Sequence, residues 1–161
     1  MRATLIVWGA LAALLTDQIG KYLVISVMDL RRSGGIDILP PVLNFRYGEN
    51  RGINFGLFAG DSEASRWLLI LAALAICAAV AVWVRRNPVP PAGQLGAGLL
   101  IGGALSNVLD RLMFGHVRDF LNMSCCGIDN PFVFNPADVF IFLGAAALIL
   151  FDGKPRPKKA P

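Results

Sequence analysis

Long runs without a charged side chain constrain this chain more than any other feature. Trp67 to Val84 is 18 residues without a charge, and Asn87 to Leu109 is 23. Ala3 to Thr16 is uncharged as well, with apolar character resuming at Tyr22 to Met28, and Val139 to Phe151 is held between Asp138 and Asp152. A membrane-spanning helix needs about 20 mainly apolar residues, so these runs predict four spans, at about 3–25, 67–84, 90–112 and 136–152. Composition agrees: 55% of residues are hydrophobic and 16% charged, against roughly 25% charged in a typical soluble domain. The same figures exclude a disordered chain. A net charge of +4 raises nucleic acid as a partner, but that needs a basic face on a soluble fold, and none is visible; no nucleic acid is expected. Cys77, Cys125 and Cys126 are too few for a disulfide scaffold and lack metal-site spacing.

The expected architecture is a single membrane domain over residues 1–161, an all-α bundle of four transmembrane helices with a small β-sheet on the periplasmic side. No clear small-x-small cleavage site follows the first apolar run before Asp17 and Lys21, so it is read as a retained span. Arg2, the Arg85–Arg86 pair and the tail Lys154, Arg156, Lys158 and Lys159 fall on one side of a four-span arrangement, which makes that side and both termini cytoplasmic. The loop over about 29–66 carries Arg residues too, mixed with acids. There Ile36–Leu39, Leu43–Tyr47 and Ile53–Phe58 read as strands, Gly48-Glu49-Asn50 reads as a turn, and Phe132–Phe134 is a further strand candidate. Gly98 and Gly102 have the spacing that lets helices approach closely.

The spans also contain charges, and these fall at one depth. At 1.5 Å per residue from the cytoplasmic end, Asp17 lies about 21 Å up, Asn107 about 22 Å and Asp138 about 21 Å, with Lys21 and Asp110 about 27 Å up. Ionisable groups in lipid cost roughly 2.5–3.5 kcal/mol each on insertion scales, so a polar layer at one level points to function. Each group has a structural alternative. Asp17 and Lys21, at i and i+4, can simply pair or can meet substrate. Asp110, Arg111 and Asn107 can anchor helices to each other. Asp138 can cap its helix behind Pro136, although Asn135 already suits that role. Asp119 and Asp138 have no basic partner on their own helical faces, since Arg118 should point elsewhere. Two carboxylates brought together can share one proton and act as acid and base. From the residues alone a carboxylate-pair enzyme stands beside a small non-enzymatic transporter or assembly protein. A Ser-His-Asp triad would have to use the single histidine, His116, with Ser106 or Ser124, neither in a nucleophile-elbow setting. The acids are too scattered for a metal site, and no phosphate-binding loop follows a strand; no metal and no cofactor are expected.

Five segments taken in order resemble the bacterial lipoprotein signal peptidases (signal peptidase II). They are Asp17-Gln18-Ile19-Gly20-Lys21, Asn50-Arg51-Gly52, Gly102 to Arg111 with Asn107 and Asp110, Val117-Arg118-Asp119-Phe120, and Phe134-Asn135-Pro136-Ala137-Asp138. The resemblance covers nearly the whole chain. It implies an inner-membrane aspartyl endopeptidase that removes the signal peptide from diacylglyceryl-modified prolipoproteins on the N-terminal side of the lipidated Cys. Asp119 and Asp138 would be the catalytic pair. Asn50, Gly52, Asn107, Arg111 and Asn135 would bind substrate or shape the site, with Asp17, Lys21 and Asp110 in support. The implied partners are the prolipoprotein and membrane lipid, and a monomer is expected. Asn54 and Arg118 depart from the family pattern, which usually has a small residue at the first position and an apolar one at the second.

Overall fold

The computed structural model describes residues 2–52, 63–124 and 130–151. Helix α1 (Arg2–Lys21) continues as a wider-wound turn over Tyr22–Val27 and is followed by the short helix α2 (Leu30–Ser33). Strands β1 (Ile36–Leu39) and β2 (Leu43–Asn50) come next, then helices α3 (Glu63–Arg86) and α4 (Pro91–Phe114), strand β3 (Val117–Asn122) and helix α5 (Pro136–Leu150). Three stretches are long and apolar enough to cross a membrane: Ala3–Val27, Glu63–Arg86 and Pro91–Phe114. Helix α5 has 15 residues, about 22 Å of helix against a hydrocarbon core of about 30 Å, so the run expected as a fourth span is a shorter apolar helix.

The helices are apolar outside and small or polar inside. In α1 the buried positions are Gly9, Ala13, Asp17 and Lys21, a stripe at i, i+4, while Val7, Trp8, Leu11, Leu15 and Ile19 are exposed. A lipid surround explains this inversion: large apolar side chains are at ease facing acyl chains, and close packing needs small residues at the helix contacts. Helix α4 is the hub, packed against α1, α3 and α5. A Cβ on Gly102 would collide with the Ala10 backbone of α1, and one on Gly98 with the Ile6 carbonyl, so the expected close approach is made with α1. On the opposite side Gly103 lies against Ala137 and Ile141, and Gly96 against Gly144 and Ala147, of α5. Helix α3 is more peripheral and buries only Ile70, Cys77 and Val84, at seven-residue intervals.

The sheet is antiparallel in the order β1-β2-β3. Gly48, Glu49 and Asn50 do not form the expected turn. They complete β2, opposite Asp119, Arg118 and Val117 of β3, beyond a register shift between Phe45 and Gly48. Glycine at 48 leaves room for Val133, whose side chain a Cβ there would displace. The Phe132–Phe134 candidate is likewise reduced to a single bridge between Phe134 and Leu121. The expected strand at 53–58 lies outside the described residues, as do Cys125 and Cys126. The sheet is held to the end of α1 by an apolar cluster of Val24, Ile25, Leu30 and Phe120, with Ile36, Phe45, Tyr47 and Leu121 packed on it. Within it the rings of Phe45 and Phe120 meet edge to face, with centroids 5.6 Å apart.

Backbone-to-backbone packing leaves α4 no room for added volume. Gly102→Val should therefore lower the unfolding midpoint of the detergent-solubilised protein by several degrees, an overpacking cost of about 1–3 kcal/mol. The exposed-position control Leu112→Ala should leave it near that of the parent. Equal midpoints for the glycine variant and the parent would contradict the packing described.

Candidate active site

Helix α4 ends at Gly115, whose φ of +82° is left-handed backbone that favours glycine. The chain then reverses into β3, which carries Asp119. The other aspartate is fixed by the start of α5. Asn135 caps that helix, its Oδ1 accepting from the Asp138 amide at 3.0 Å, while Asp138 Oδ2 accepts from the Asn135 amide at 3.3 Å. Asp138 therefore does help to cap the helix, contrary to the expectation that Asn135 relieves it of that role. The reciprocal pair occupies Oδ2 and leaves Oδ1 to accept from Asn107 Nδ2 at 2.9 Å.

Side-chain amides surround the two carboxylates. Asp119 Oδ1 accepts from Asn135 Nδ2 at 2.5 Å and its Oδ2 from Asn50 Nδ2 at 3.2 Å. Asn135 Nδ2 also reaches Asn107 Oδ1 at 3.3 Å, so Asn107 and Asn135 form a bridge from one aspartate to the other. Arg111 lies against the same group, with Nη1 3.5 Å from the Asn107 carbonyl and Nη2 3.5 Å from the Gly52 carbonyl. Asp119 is 1% exposed, whereas Asp138 is only partly buried. Burial, and then the charge of Asp138, push the Asp119 carboxyl up to about 7, against the hydrogen bonds from Asn135 and Asn50 and the charge of Lys21. The charge on Asp138 thus disfavours ionisation of Asp119.

A second cluster lies beneath, and its Asp17, Lys21, Ser106 and Asp110 are fully buried. Lys21 Nζ sits 2.6 Å from Asp17 Oδ2 and 2.9 Å from Asp110 Oδ2. Ser106 Oγ donates to Asp17 Oδ2 at 2.7 Å, and Gln18 Nε2 donates to Ser106 Oγ at 2.9 Å and to Asp110 Oδ1 at 3.0 Å. The two acids of this cluster hold the backbone immediately ahead of each aspartate above. Asp17 Oδ1 accepts from the Ala137 amide at 3.0 Å, and Asp110 Oδ2 from the Arg118 amide at 2.9 Å. The Asp17–Lys21 pair foreseen from its spacing is thus real, and it extends to Asp110.

All ten residues singled out in the sequence fall in these two connected clusters. Gln18, Ser106 and the Arg118 side chain were not among them. Gln18 and Ser106 are polar positions in apolar helices at the depth of the charged layer, and that signal could have found them. His116 faces the Tyr47 hydroxyl at 3.4 Å and Glu49 at 3.6 Å, whereas Ser106 is committed to Asp17 and Gln18. Ser106 and His116 therefore do not form a nucleophile–base pair. Among the described residues no three His, Cys, Asp or Glu side chains gather in a way that could hold a metal ion.

Residues 9–152 match the family described as Signal peptidase (SPase) II. The chain belongs to the signal peptidase II family. The lipoprotein signal peptidase of Aeromonas hydrophila is 37% identical over 153 residues, 94% of this chain and 89% of that protein. That of Trichormus variabilis is 38% identical, over 88% of this chain and 85% of its own. Two solved bacterial membrane enzymes, determined in meso, superpose with a TM-score of 0.76 at 24% and 25% identity, covering 97% and 94% of this chain and 94% of each of theirs. The chain is thus a membrane peptidase of aspartic type, and its structure holds buried aspartates.

Two expectations follow from the geometry. Lys21→Met leaves Asp17 and Asp110 buried without their shared cation, and breaking such a pair costs about 3–5 kcal/mol; thermal unfolding in detergent should show a large loss of stability or no folded protein. The second concerns Asp119. The unfolded carboxyl titrates near 3.8 and the folded one near 7, so folding takes up a proton between these values. The contribution of Asp119 to stability therefore falls as pH rises from about 4 through about 7. Asp119→Asn removes this dependence, and its midpoint relative to the parent should be higher at pH 8 than at pH 5. A difference independent of pH would refute the raised value.

Proposed function

We propose that this chain removes the signal peptide from diacylglyceryl-modified prolipoproteins, cleaving on the N-terminal side of the lipidated cysteine, with Asp119 and Asp138 as the catalytic pair. The observation that carries this reading is the pair itself: two carboxylates from different elements, joined through Asn107 and Asn135, with Asp119 buried and raised to about 7. Family membership supplies the reaction, and the curated relatives are lipoprotein signal peptidases by name.

The chemistry follows from the sharing of one proton. The ionised aspartate takes a proton from a water held between the two, and that water attacks the scissile carbonyl carbon. The protonated partner donates to the carbonyl oxygen as the tetrahedral intermediate forms. Collapse of the intermediate then delivers a proton to the leaving amine. Asn50 and Asn135 hold Asp119, and Asn107 holds Asp138, so that neither carboxylate turns away. Gly52 and Arg111 bound the substrate side, with the guanidinium near the place where negative charge develops.

The placement in the membrane belongs to the same reading. The chain is one domain over 1–161, crossing the inner membrane four times with both termini cytoplasmic; α5 forms the fourth, shorter crossing. The sheet then lies on the periplasmic side as a cradle over the bilayer, and the aspartates sit in the outer leaflet, at the level where diacylglyceryl chains are anchored. It acts as a monomer on a prolipoprotein presented by the lipid. The transporter or assembly reading is less well supported, because the buried charges close on one another in a compact cluster instead of lining a route through the helices.

Purified protein in detergent or lipid should convert a diacylglyceryl prolipoprotein to its shorter form on a gel. Asp119→Asn and Asp138→Asn should each reduce the rate at least about 1,000-fold while leaving a folded protein, in keeping with loss of a group that acts in the transition state. Full cleavage by either variant would remove that residue from the catalytic pair.

A further inference from the structure

Asp110 of the lower cluster holds a second cation besides Lys21. Arg118, whose side chain is 11% exposed, lies along Asp110: Nη2 donates to Oδ1 at 2.8 Å and Nε to Oδ2 at 3.4 Å, a side-on fork. Its other contacts complete the enclosure. Nη2 also donates to Gln18 Oε1 at 3.3 Å, and the guanidinium stacks over the Phe114 ring, 3.9 Å from the centroid. With Arg118 the cluster holds two acids, Asp17 and Asp110, and two bases, Lys21 and Arg118, so its formal charge is zero; without it the cluster carries an uncompensated negative charge beneath Asp119.

From this geometry we infer that Arg118 is a positioning residue for cleavage, balancing the charge of Asp110 and fastening β3 to α1 and α4 one residue before Asp119. The inference rests on the catalytic pair proposed above. Two anchors act on the same residue, because Asp110 receives both the Arg118 amide and its guanidinium. Among the described residues, the charges that act on Asp119 are Asp138 of α5 and Lys21 of α1, and Arg111 of α4 feels both aspartates; Asp17 and Asp110 lie in the lower cluster around Lys21. From β2 the contact is the amide of Asn50, with Glu49 one residue earlier paired to Arg51. Lys21 already favours the ionised form of Asp119 through this arrangement. Removing a further positive charge leaves a carboxylate pair that holds its protons more tightly, so both limbs of the bell-shaped pH–rate profile move to higher pH.

Cleavage of a diacylglyceryl prolipoprotein would be followed against pH for the parent, Arg118→Gln and Arg118→Lys. The Gln variant keeps a hydrogen bond to Asp110 but no charge; the Lys variant keeps the charge. Arg118→Gln is expected to lower kcat about tenfold, equal to ~1.4 kcal/mol, with KM within about twofold. Its profile should shift up by about half a pH unit or more. Arg118→Lys should keep the parent profile and recover most of kcat. A Gln profile superimposable on that of the parent overturns the inference, as does a shift of equal size in the Lys variant. A kcat loss that merely follows the loss of folded protein, with the profile unmoved, also overturns it. Should the Gln variant fail to fold, the Lys variant decides: kcat within about threefold at the parent profile supports the role of charge, and a tenfold loss refutes it. Cleavage by Asp119→Asn is a separate arm, since activity there would end the catalytic-pair reading whatever Arg118 does.

Discussion

The fold turns on one buried cation. Lys21 lies between Asp17 and Asp110 with no side-chain exposure on any of the three. Each of these ions costs several kcal/mol to remove from water, and the cost is recovered only if the geometry is close and every remaining lone pair is met. Ser106, Gln18 and Arg118 meet them. The cluster can therefore exist only when α1 and α4 are in register, and the small residues Gly98 and Gly102 of α4, lying against α1, make that register possible.

From this cluster the positions of the upper site follow by short steps. Asp17 takes the amide of Ala137 and Asp110 takes the amide of Arg118. The next residues are Asp138 and Asp119. A carboxylate that holds a neighbouring amide restrains the backbone and leaves the following side chain free to act, so a structural charge cluster serves a reactive one without touching it. The division of labour is also electrostatic. The lower cluster is charge-balanced and closed, whereas the upper pair is surrounded mainly by neutral amides that tolerate either protonation state.

Much of this was legible in the sequence. Uncharged runs announce lipid-facing helices because charge in hydrocarbon is costly, and helical rise converts positions into depths, which is why Asp17, Asn107 and Asp138 could be placed in one layer. The Asp17–Lys21 pair follows from i, i+4 spacing and the Asn135 cap from its place before Pro136. Other parts were not legible. Gly48-Glu49-Asn50 has the composition of a turn, yet it is a strand because β3 pairs with it. Arg118 was expected to point away from Asp119, and it does, but its destination on a different helix carries no local signal. The dual role of Asp138, capping α5 while facing Asn107, depends on where α4 lies relative to α5.

Local chemistry and periodicity therefore determined which segments form apolar helices, which polar residues stand out within them, and how neighbours within one helix pair. Those are short-range matters, set by solvation free energy and by the pitch of a helix. Packing alone decided which groups from different elements meet: that Asp110 is shared by Lys21, Gln18 and Arg118, and that Asn107 and Asn135 link Asp119 to Asp138. Such meetings depend on interhelical register and strand pairing, and these are fixed by contacts between residues up to 120 positions apart in the chain.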